Sequence, residues 1–312
     1  MAMILNELLL PIFVVLITLI LGAGVVDYLH HATSALGKQM SLRRSLNPLA
    51  PLYRLGLALS QQSVITEHPD RLNLRLAPAL YFALAALGLA VVPWSADFIP
   101  ADLVTGMVLW GAVEVLATVV IFLCGWSANA HLPLLGAYRY VSLGLSYMLV
   151  SMFVLIGVAL PAESLQLSAV VESQREIWNV LRQPMGLPLF LIVGLGLTFW
   201  GPLDFASSPD LDRGISADQS GASRLVWQLA RYAMLVAFSF MAATVFLGGW
   251  LGPWLPGPLW LVLKATLVLL ILLWMGHNLP VMTPDKFISV AWVLLLPLSF
   301  VDLIWAGALA LW

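Results

Sequence analysis

The sequence has little charge and almost no cysteine. Only 10% of its 312 residues are Asp, Glu, Lys or Arg, and the net charge is −2, so no basic tract suggests a nucleic-acid partner. The single cysteine, Cys124, excludes a structural disulfide, a Cys-ligated zinc site and an iron–sulfur cluster held by this chain alone. We therefore expect no nucleic-acid partner and no cofactor bound by this chain alone.

Apolar residues dominate the composition. They make up 61% of the chain, whereas soluble domains contain about 45–50%. Apolar runs of spanning length predict transmembrane helices at 7–26, 76–94, 102–124, 140–160, 186–200, 226–248, 258–277 and 287–310. The N-terminus lacks a basic region and a small-residue cleavage site, so we interpret it as the first span. The sequence predicts an all-α polytopic membrane protein with about eight transmembrane helices, in a single membrane domain over 1–312.

Lys and Arg are distributed unevenly between the two sides of the predicted bundle. Eleven of them follow helices one, three, five and seven, and only Arg175 and Arg182 lie on the other side. The excess of positive charge indicates the cytoplasmic side. We therefore predict cytoplasmic loops at 27–75, 125–139, 201–225 and 278–286, and a multi-pass protein of the inner (cytoplasmic) membrane with both termini on the outer side.

Two segments of these loops stand out. Residues 51–61 mix apolar side chains with Arg54 at helical spacing, which indicates an interfacial amphipathic helix or a surface helix packed on this protein. Residues 201–231 carry four Asp and three Arg, so they cannot lie in lipid. Long ordered loops tend to carry function, and we expect this second segment to organise the site.

A motif follows the third predicted helix. Residues 125–147 read GWSANAHLPLLGAYRYVSLGLSY. This stretch resembles the membrane subunit of respiratory complex I that houses much of the quinone chamber, the H subunit (subunit 1 type) of NADH-quinone oxidoreductase, whose typical pattern is GWSSN, LLGA, one residue, R, then SYE. Later residues match its PFD, its FxGGW and its W-x-x-x-K at Pro202–Asp204, Phe246–Trp250 and Trp260–Lys264.

The chain also departs from the family pattern. The Glu after SY is Met148, and the family's ETNRAPFD segment has its Glu and Arg replaced by Leu197 and Trp200. The run 41–48 lacks the family's Gly/Pro/Arg-rich motif. An acid within a span carries charge or protons, and Leu or Met removes that chemistry. The resemblance is therefore to a diverged paralogue.

The resemblance implies a membrane subunit of a complex I-like oxidoreductase that docks the peripheral iron–sulfur arm, lines a quinone pocket and couples to proton translocation. It implies partners among antiporter-like and small membrane subunits, with lipid around them and quinone as a substrate. The residues that we assign to the quinone pocket or to arm docking are Arg43, Arg44, Trp126, Asn129, Arg139, Asp204, Asp210, Asp212, Arg213 and Asp218.

We select two ionisable residues that lie well inside predicted spans. Glu114 and Lys264 are proton-path candidates, because an intramembrane charge is functional by default. Alternatively, Glu114 is a structural partner of a neighbouring helix, and Lys264 pairs with it or snorkels. His30 and His31 are adjacent and therefore do not face each other on a helix, which argues against a metal site.

Two other functions remain open. The chain could be a structural membrane anchor of a hydrogenase-like or other ion-translocating complex that has lost quinone and proton-path function. It could also be an independent secondary transporter in which Glu114 and Lys264 bind substrate. No nicotinamide, haem or cluster motif occurs, so partners would supply the electrons for any redox reaction.

Overall fold

The computed structural model describes residues 2–37, 49–62 and 66–311, and within those ranges the chain is helical with no strand. The α-helices are α1 (Ala2–Gly37), α2 (Ala50–Ser60), α3 (Arg71–Ala90), α4 (Gly106–Ser127), α5 (His131–Ala159), α6 (Leu167–Glu172), α7 (Asn179–Arg182), α8 (Gly186–Leu197), α9 (Gly221–Phe246), α10 (Gly257–Asn278), α11 (Pro284–Val290) and α12 (Leu296–Ala310). A π-helical turn, Ala291–Leu295, joins α11 to α12.

Seven segments of the described chain are long and apolar enough to span a membrane, which confirms the polytopic all-α prediction. They lie in α1, α3, α4, α5, α9, α10 and the α11–α12 unit, whereas the fifth predicted span is the 12-residue α8. A helix of that length rises only about 18 Å, against a hydrocarbon core of about 30 Å. The predicted boundaries of α1, α5 and α9 were too narrow, because their polar ends continue the helices into the predicted loops.

Helix α9 forms the centre of the bundle. In its most apolar 18-residue window 89% of residues are buried, against 22% for α1, which lies at the periphery. It packs on α1, α3, α8 and α10. Its Phe238 ring stacks on Phe190 with centroids 4.6 Å apart, over Gly194 of α8, where a Cβ would overlap that ring. A small residue thus allows a close helix approach, as in other membrane bundles.

The short helix α8 ends inside the bundle, and side chains satisfy the carbonyls that it leaves open. The hydroxyls of Tyr81 and Tyr140 each donate to the Leu197 carbonyl at 2.9 Å. The Arg231 guanidinium donates to the Phe199 carbonyl at 2.7 Å and lies over its ring. Broken helices are tolerated at membrane depth only where the protein satisfies their backbone groups. These three side chains therefore allow a 12-residue helix to end inside the bundle.

Helix α2 is the predicted amphipathic helix. It packs on α1 and α9 without burying any of its residues. Leu52 and Tyr53 are 65% and 78% exposed, while Arg54 forms an ion pair with Asp27 of α1 at 2.7 Å. The residues that the structure describes thus leave its apolar surface uncovered, as expected of a helix that lies at the membrane interface.

Candidate functional site

Four predicted loops meet at one end of the bundle. The backbone N–H of Asp70 donates to the Ser127 carbonyl at 2.8 Å, and the Thr66 hydroxyl donates to the Ala128 carbonyl at 2.7 Å. The Met282 N–H donates to the Pro202 carbonyl at 3.1 Å. We call this end, formed by the described parts of 49–75, 125–139, 201–225 and 278–286, the loop face. Since α1 reaches it with its C-terminal turns and α11 begins there, the beginning of α1 and the end of α12 lie at the opposite end of the bundle.

The polar segment that follows α8 is seated directly on α5. The Ile215 N–H donates to the Ala206 carbonyl at 3.0 Å, closing the segment on itself. At Gly136 of α5 a Cβ would overlap that same carbonyl, so only glycine permits this approach. Arg139 lies in the third turn of α5 rather than at its start, and its guanidinium bonds the Asp210 carboxylate at 2.6 Å. The Ser208 hydroxyl and the Arg139 guanidinium lower the pKa of the Asp210 carboxyl.

Asp204 holds the beginning of this segment in place. Its Oδ1 accepts the Ser207 N–H at 2.9 Å, and its Oδ2 lies 3.8 Å from Arg231 of α9. Burial raises the pKa of the Asp204 carboxyl, while Arg231 and Ser207 act in the opposite direction. The hydrogen bond to Ser207 fixes the turn that leaves α8.

The remaining loop candidates lie at the surface of the loop face. Trp126 is 53% exposed, and the Asn129 side chain donates to the His68 carbonyl at 3.1 Å. Asp212 and Arg213 are exposed and both have left-handed backbone, while Asp218 is half-buried. Arg43 and Arg44 lie outside the described residues.

Glu114 lies in the interior of the bundle, fully buried. Its Oε1 accepts the Trp110 indole N–H at 2.7 Å and the Ser151 hydroxyl at 3.0 Å. Its Oε2 is buried with no hydrogen-bond partner, and no described cation pairs with it. A buried carboxyl oxygen without a partner is costly in a static core, so this group is a candidate for chemistry rather than for packing alone.

Buried tyrosine hydroxyls lie between this acid and the loop face. On α5, the Tyr147 hydroxyl is within 2.9 Å of the Tyr140 hydroxyl, which donates to the Leu197 carbonyl. Tyr81 of α3 donates to the same carbonyl and stacks on Trp227 with centroids 5.5 Å apart. The position where the family has a Glu, Leu197, thus contributes its backbone oxygen instead of a side chain.

Lys264 is not paired with Glu114, contrary to one alternative that the sequence left open. Its ammonium donates to the carbonyls of Gly249 and Leu251 at 3.0 and 2.7 Å, and it lies 4.6 Å from the centroid of the Trp178 ring. The side chain is 5% exposed. These contacts bind the segment that follows α9 to α10 and fit a snorkelling lysine.

A cleft opens between α1, α2 and α9 beside the loop face. It has a volume of about 890 Å³ and runs from Ile20 and Leu52 to a polar end formed by Asp27, His31 and Arg54. Arg54 donates to the Asp27 carboxylate through Nε at 3.0 Å and Nη2 at 2.7 Å, and the His31 Nδ1 lies 3.4 Å from the other carboxylate oxygen. No group of three metal-ligating side chains occurs within the described ranges.

Neither the cleft nor the buried tyrosine contacts are visible in the sequence alone. The polar end of the cleft depends on a contact between α1 and α2, whose connection carried no motif. Tyr147 was part of a matching motif, but the motif does not show its contacts. The Tyr147 hydroxyl contacts that of Tyr140, two turns earlier on the same helix, and Tyr140 in turn donates to the backbone of α8.

Comparison with known proteins agrees with this architecture. Residues 9–307 match the family described as NADH dehydrogenase. The chain is 33% identical over 239 residues to the first H subunit of NADH-quinone oxidoreductase from Rhodopseudomonas palustris (strain HaA2), covering 76% of this chain and 75% of that protein. It is 32% identical over 260 residues to the H subunit of NADH-quinone oxidoreductase from Geobacillus kaustophilus (strain HTA426), covering 81% and 78%.

A third relative extends the match. The second H subunit of NADH-quinone oxidoreductase from Syntrophobacter fumaroxidans (strain DSM 10017 / MPOB) is 30% identical over 277 residues, which cover 86% of this chain and 83% of that protein. The apolar helices and these bacterial relatives make the chain a multi-pass protein of the inner membrane. It belongs to the NADH dehydrogenase family of membrane subunits, which includes the H subunits of NADH-quinone oxidoreductase.

Proposed function

We propose that this chain is the membrane subunit of a complex I-like oxidoreductase, that it binds quinone in the cleft between α1, α2 and α9, and that it docks a peripheral electron-transfer arm on its loop face. The observation that carries the proposal is the cleft itself. Its volume of about 890 Å³ lies within the range of roughly 300–1,000 Å³ that small-molecule sites have.

The lining of the cleft suits a quinone with an isoprenoid tail. Ile20, Leu21 and Val25 of α1 face Leu52 and Leu55 of α2, so a tail would lie against aliphatic side chains. At the other end the guanidinium of Arg54 and the imidazole of His31 are donors for the two carbonyl oxygens of a head group. An apolar cavity with a few convergent polar groups is typical of a ligand site.

The arm would dock on the loop face, which we place in the cytoplasm because of the distribution of Lys and Arg. Ten of them lie in the four predicted loops on this side and an eleventh, Arg231, lies in the helix that follows one of these loops, against two on the other side. The Arg139–Asp210 pair and the exposed Arg213 lie on this face. Cysteines introduced at Asp212 and Arg213 should react with an impermeant maleimide only in inside-out vesicles, and only when the arm has been removed. Labelling from the outer side would refute the orientation.

Proton coupling would use Glu114, a buried acid with one carboxyl oxygen that has no hydrogen-bond partner. The sequence suggested both Glu114 and Lys264 as proton-path candidates, and their different contacts support different roles. The Lys264 ammonium donates to two backbone carbonyls and lies over an indole ring, which supports a structural role in which it holds the Gly249–Leu251 segment. The Oε2 of Glu114 has no hydrogen-bond partner, and we therefore propose that Glu114 is the residue that exchanges a proton.

A pair of glycines provides the test of the cleft. Gly24 lines it, and a Cβ at this position meets no atom within 4 Å, so Gly24→Leu adds its side chain to the cleft without a clash at the backbone. Gly56 of α2 has the same open surroundings but does not line the cleft, so Gly56→Leu is the matched control.

Binding of a short-chain quinone to the purified complex should weaken in Gly24→Leu, with assembly intact, and should stay at the wild-type level in Gly56→Leu. Equal affinity in both variants would refute the cleft as the quinone site. A wild-type complex that assembles with its arm and binds no quinone would instead favour the structural-anchor function.

A further inference from the structure

An acid that the proposed function does not use lies on the last helix of the bundle. Asp302 belongs to α12, a peripheral helix, and yet it is only 3% exposed. Within α12, which the structure describes throughout, the buried residues are Ser299, Asp302 and Ala306, whose spacing places them on one face. The large apolar side chains Val301 and Ile304 are 61% and 59% exposed. An acid in a span is costly, so its inward position suggests a function.

The buried face of α12 meets the segment that leads into α8. The side-chain amide of Gln183 and the backbone N–H of Met185 are hydrogen-bond donors beside the Asp302 carboxyl. Met185 immediately precedes α8, and the first N–H groups of a helix have no partner within it and carry partial positive charge. Asp302 therefore caps the beginning of the short helix, whereas the hydroxyls of Tyr81 and Tyr140 satisfy its end.

Two glycines provide the space that the Gln183 side chain occupies beside this acid. At Gly157 of α5 and at Gly186 of α8, a Cβ would overlap that side chain. The Gln183 Nε2 also donates to the Val154 carbonyl of α5 at 3.3 Å, and the residue is 1% exposed. The backbone of two helices thus holds a buried amide against α5, next to the carboxyl of Asp302.

This polar cluster contains two acceptor atoms that lack a donor. Within the described part of the chain, Asp302 Oδ2 and Gln183 Oε1 are both buried with no hydrogen-bond partner. No described cation forms an ion pair with Asp302. The elements that pack on α12 here, residues 148–162 and α8, contain no ionisable residue, and the nearest in the chain are the exposed Glu163 and the half-buried Arg182. Buried acceptors need a donor, and a proton on the carboxyl supplies one.

Asp302 and Glu114 lie at a similar depth, on two helices that both pack on α5. Glu114 comes eight residues after the start of α4, and Asp302 comes eight residues before the end of α12. Both helix ends are remote from the loop face, so each acid lies about 12 Å from that end along its helix. The Ser151 hydroxyl of α5 binds Glu114, whereas the Phe153 ring packs on Phe300 of α12 with centroids 5.6 Å apart. The two acids therefore flank the same turn of α5.

We propose that Asp302 is a second proton-binding site of this subunit, and that it exchanges its proton with the side of the membrane opposite the loop face, a role that rests on the proton coupling proposed above. Along the helices, Asp302 is about 12 Å from the end of α12 but about 27 Å from the start of α11 at Pro284. The exchange is an acid–base step without electron transfer. An O–H bond forms on the carboxyl when a proton arrives, and it breaks when the proton passes to water. The N–H groups of Gln183 and Met185 then stabilise the carboxylate.

Infrared difference spectroscopy of the complex in right-side-out proteoliposomes tests the site. A protonated carboxyl has a C=O stretching band that an ionised one lacks, and raising the external pH should remove one such band in the wild type. Asp302→Asn keeps the size and one acceptor oxygen of the side chain, and it should lack this band. Asp97→Asn changes an exposed carboxyl in the connection between α3 and α4, and it should keep the band. A band that persists in Asp302→Asn, or that responds only to the internal pH, would overturn the proposal.

Labelling of the wild-type complex provides a second measurement if Asp302→Asn assembles poorly. Dicyclohexylcarbodiimide reacts with protonated carboxyls in apolar surroundings, so mass spectrometry should find it on Asp302, with less modification as the external pH rises. No modified Asp302 at any pH would overturn the site.

Proton movement separates exchange from a purely structural cap. Asp302→Asn should still reduce quinone but lose most of the proton movement, and wild-type proton movement in this variant would overturn the exchange and leave only the cap of α8. A wild-type complex that moves no protons would refute the proposed proton coupling, whereas the infrared band would still decide whether Asp302 binds a proton.

Discussion

Glu114 offers the sharpest separation of structure from chemistry, because two substitutions change different properties of it. Glu114→Gln keeps an Oε1 that can accept from Trp110 and Ser151 but cannot carry a proton. Glu114→Leu removes the acceptor as well. The two variants have similar volumes, so a difference between them reports the hydrogen bonds rather than packing.

The magnitude follows from the two donors that Glu114→Leu leaves behind. The Ser151 hydroxyl can turn to a carbonyl one turn back on α5, as serines in helices do, so its loss is small. The Trp110 indole N–H is fully buried and has no such alternative, and an unsatisfied buried donor costs about 1–3 kcal/mol. We therefore expect Glu114→Leu to be less stable than Glu114→Gln by about 1–3 kcal/mol.

The assay combines thermal unfolding in detergent with proton movement in proteoliposomes. Glu114→Gln should assemble and unfold like the wild type, yet move fewer protons for each quinone reduced. Wild-type proton movement in Glu114→Gln would exclude Glu114 from the proton path. Equal stability of the Gln and Leu variants would show that the Trp110 and Ser151 bonds contribute nothing.

Three other predictions use the remaining polar contacts. Lys264→Met should lower the free energy of unfolding by about 1.5–3 kcal/mol, since charge-assisted hydrogen bonds to the Gly249 and Leu251 carbonyls are lost. In the double variant with Glu114→Gln, the two changes in unfolding free energy should add within about 0.5 kcal/mol, because Lys264 and Glu114 share no partner. Asp204→Ala should loosen the turn after α8 by about 1–3 kcal/mol, measured by protease sensitivity. Because the pKa of Asp204 is raised in the folded state, the native protein binds more protons than the unfolded protein at pH values between the two pKa values. The free energy of unfolding should therefore fall as the pH rises from 3.8, the ordinary pKa of Asp, to the raised pKa of the folded state. Asp204→Asn should abolish that pH dependence. Asp210→Ala should weaken association of the peripheral arm while bilayer insertion, measured by membrane extraction, stays normal.

The sequence was sufficient for the class of fold because each long helix carries its own signal. A run of about 20 or more apolar residues predicts a span whatever it packs against, and seven such runs are helices in the described part of the chain. The boundaries failed where polar residues continued a helix. Arg139 and Arg224 were assigned to loops, yet both lie within helices whose turns project beyond the apolar core.

The sites were harder to foresee because they combine residues from distant parts of the chain. Asp204 and Asp210 were found, since a charged segment between two apolar runs is visible in one dimension. The residues that line the cleft come from α1, α2 and α9, which lie far apart in the sequence, and no spacing rule joins them. The alternative in which Lys264 pairs with Glu114 was wrong, because it assumed that two buried groups of opposite charge form an ion pair. Backbone carbonyls and an indole ring satisfy Lys264 equally well.

The family pattern has acids at two positions where this chain has Met148 and Leu197. The contacts between the helices that carry Glu114 and Met148 show which polar groups lie near the first of these positions. Met148 and Ser151 are three residues apart on α5 and therefore lie on the same face of that helix. The Glu114 carboxylate accepts from Ser151, so it lies beside the place where the family pattern has its Glu. A carboxyl group on α4 thus stands next to the methionine on α5, and the interior of the bundle retains an acid at this level. At Leu197 the backbone carbonyl with its two tyrosine hydroxyls keeps the neighbourhood polar. Polar groups of neighbouring helices therefore lie close to both motif positions, so an acid missing from a motif position does not by itself indicate that the interior of the bundle has lost its polar groups.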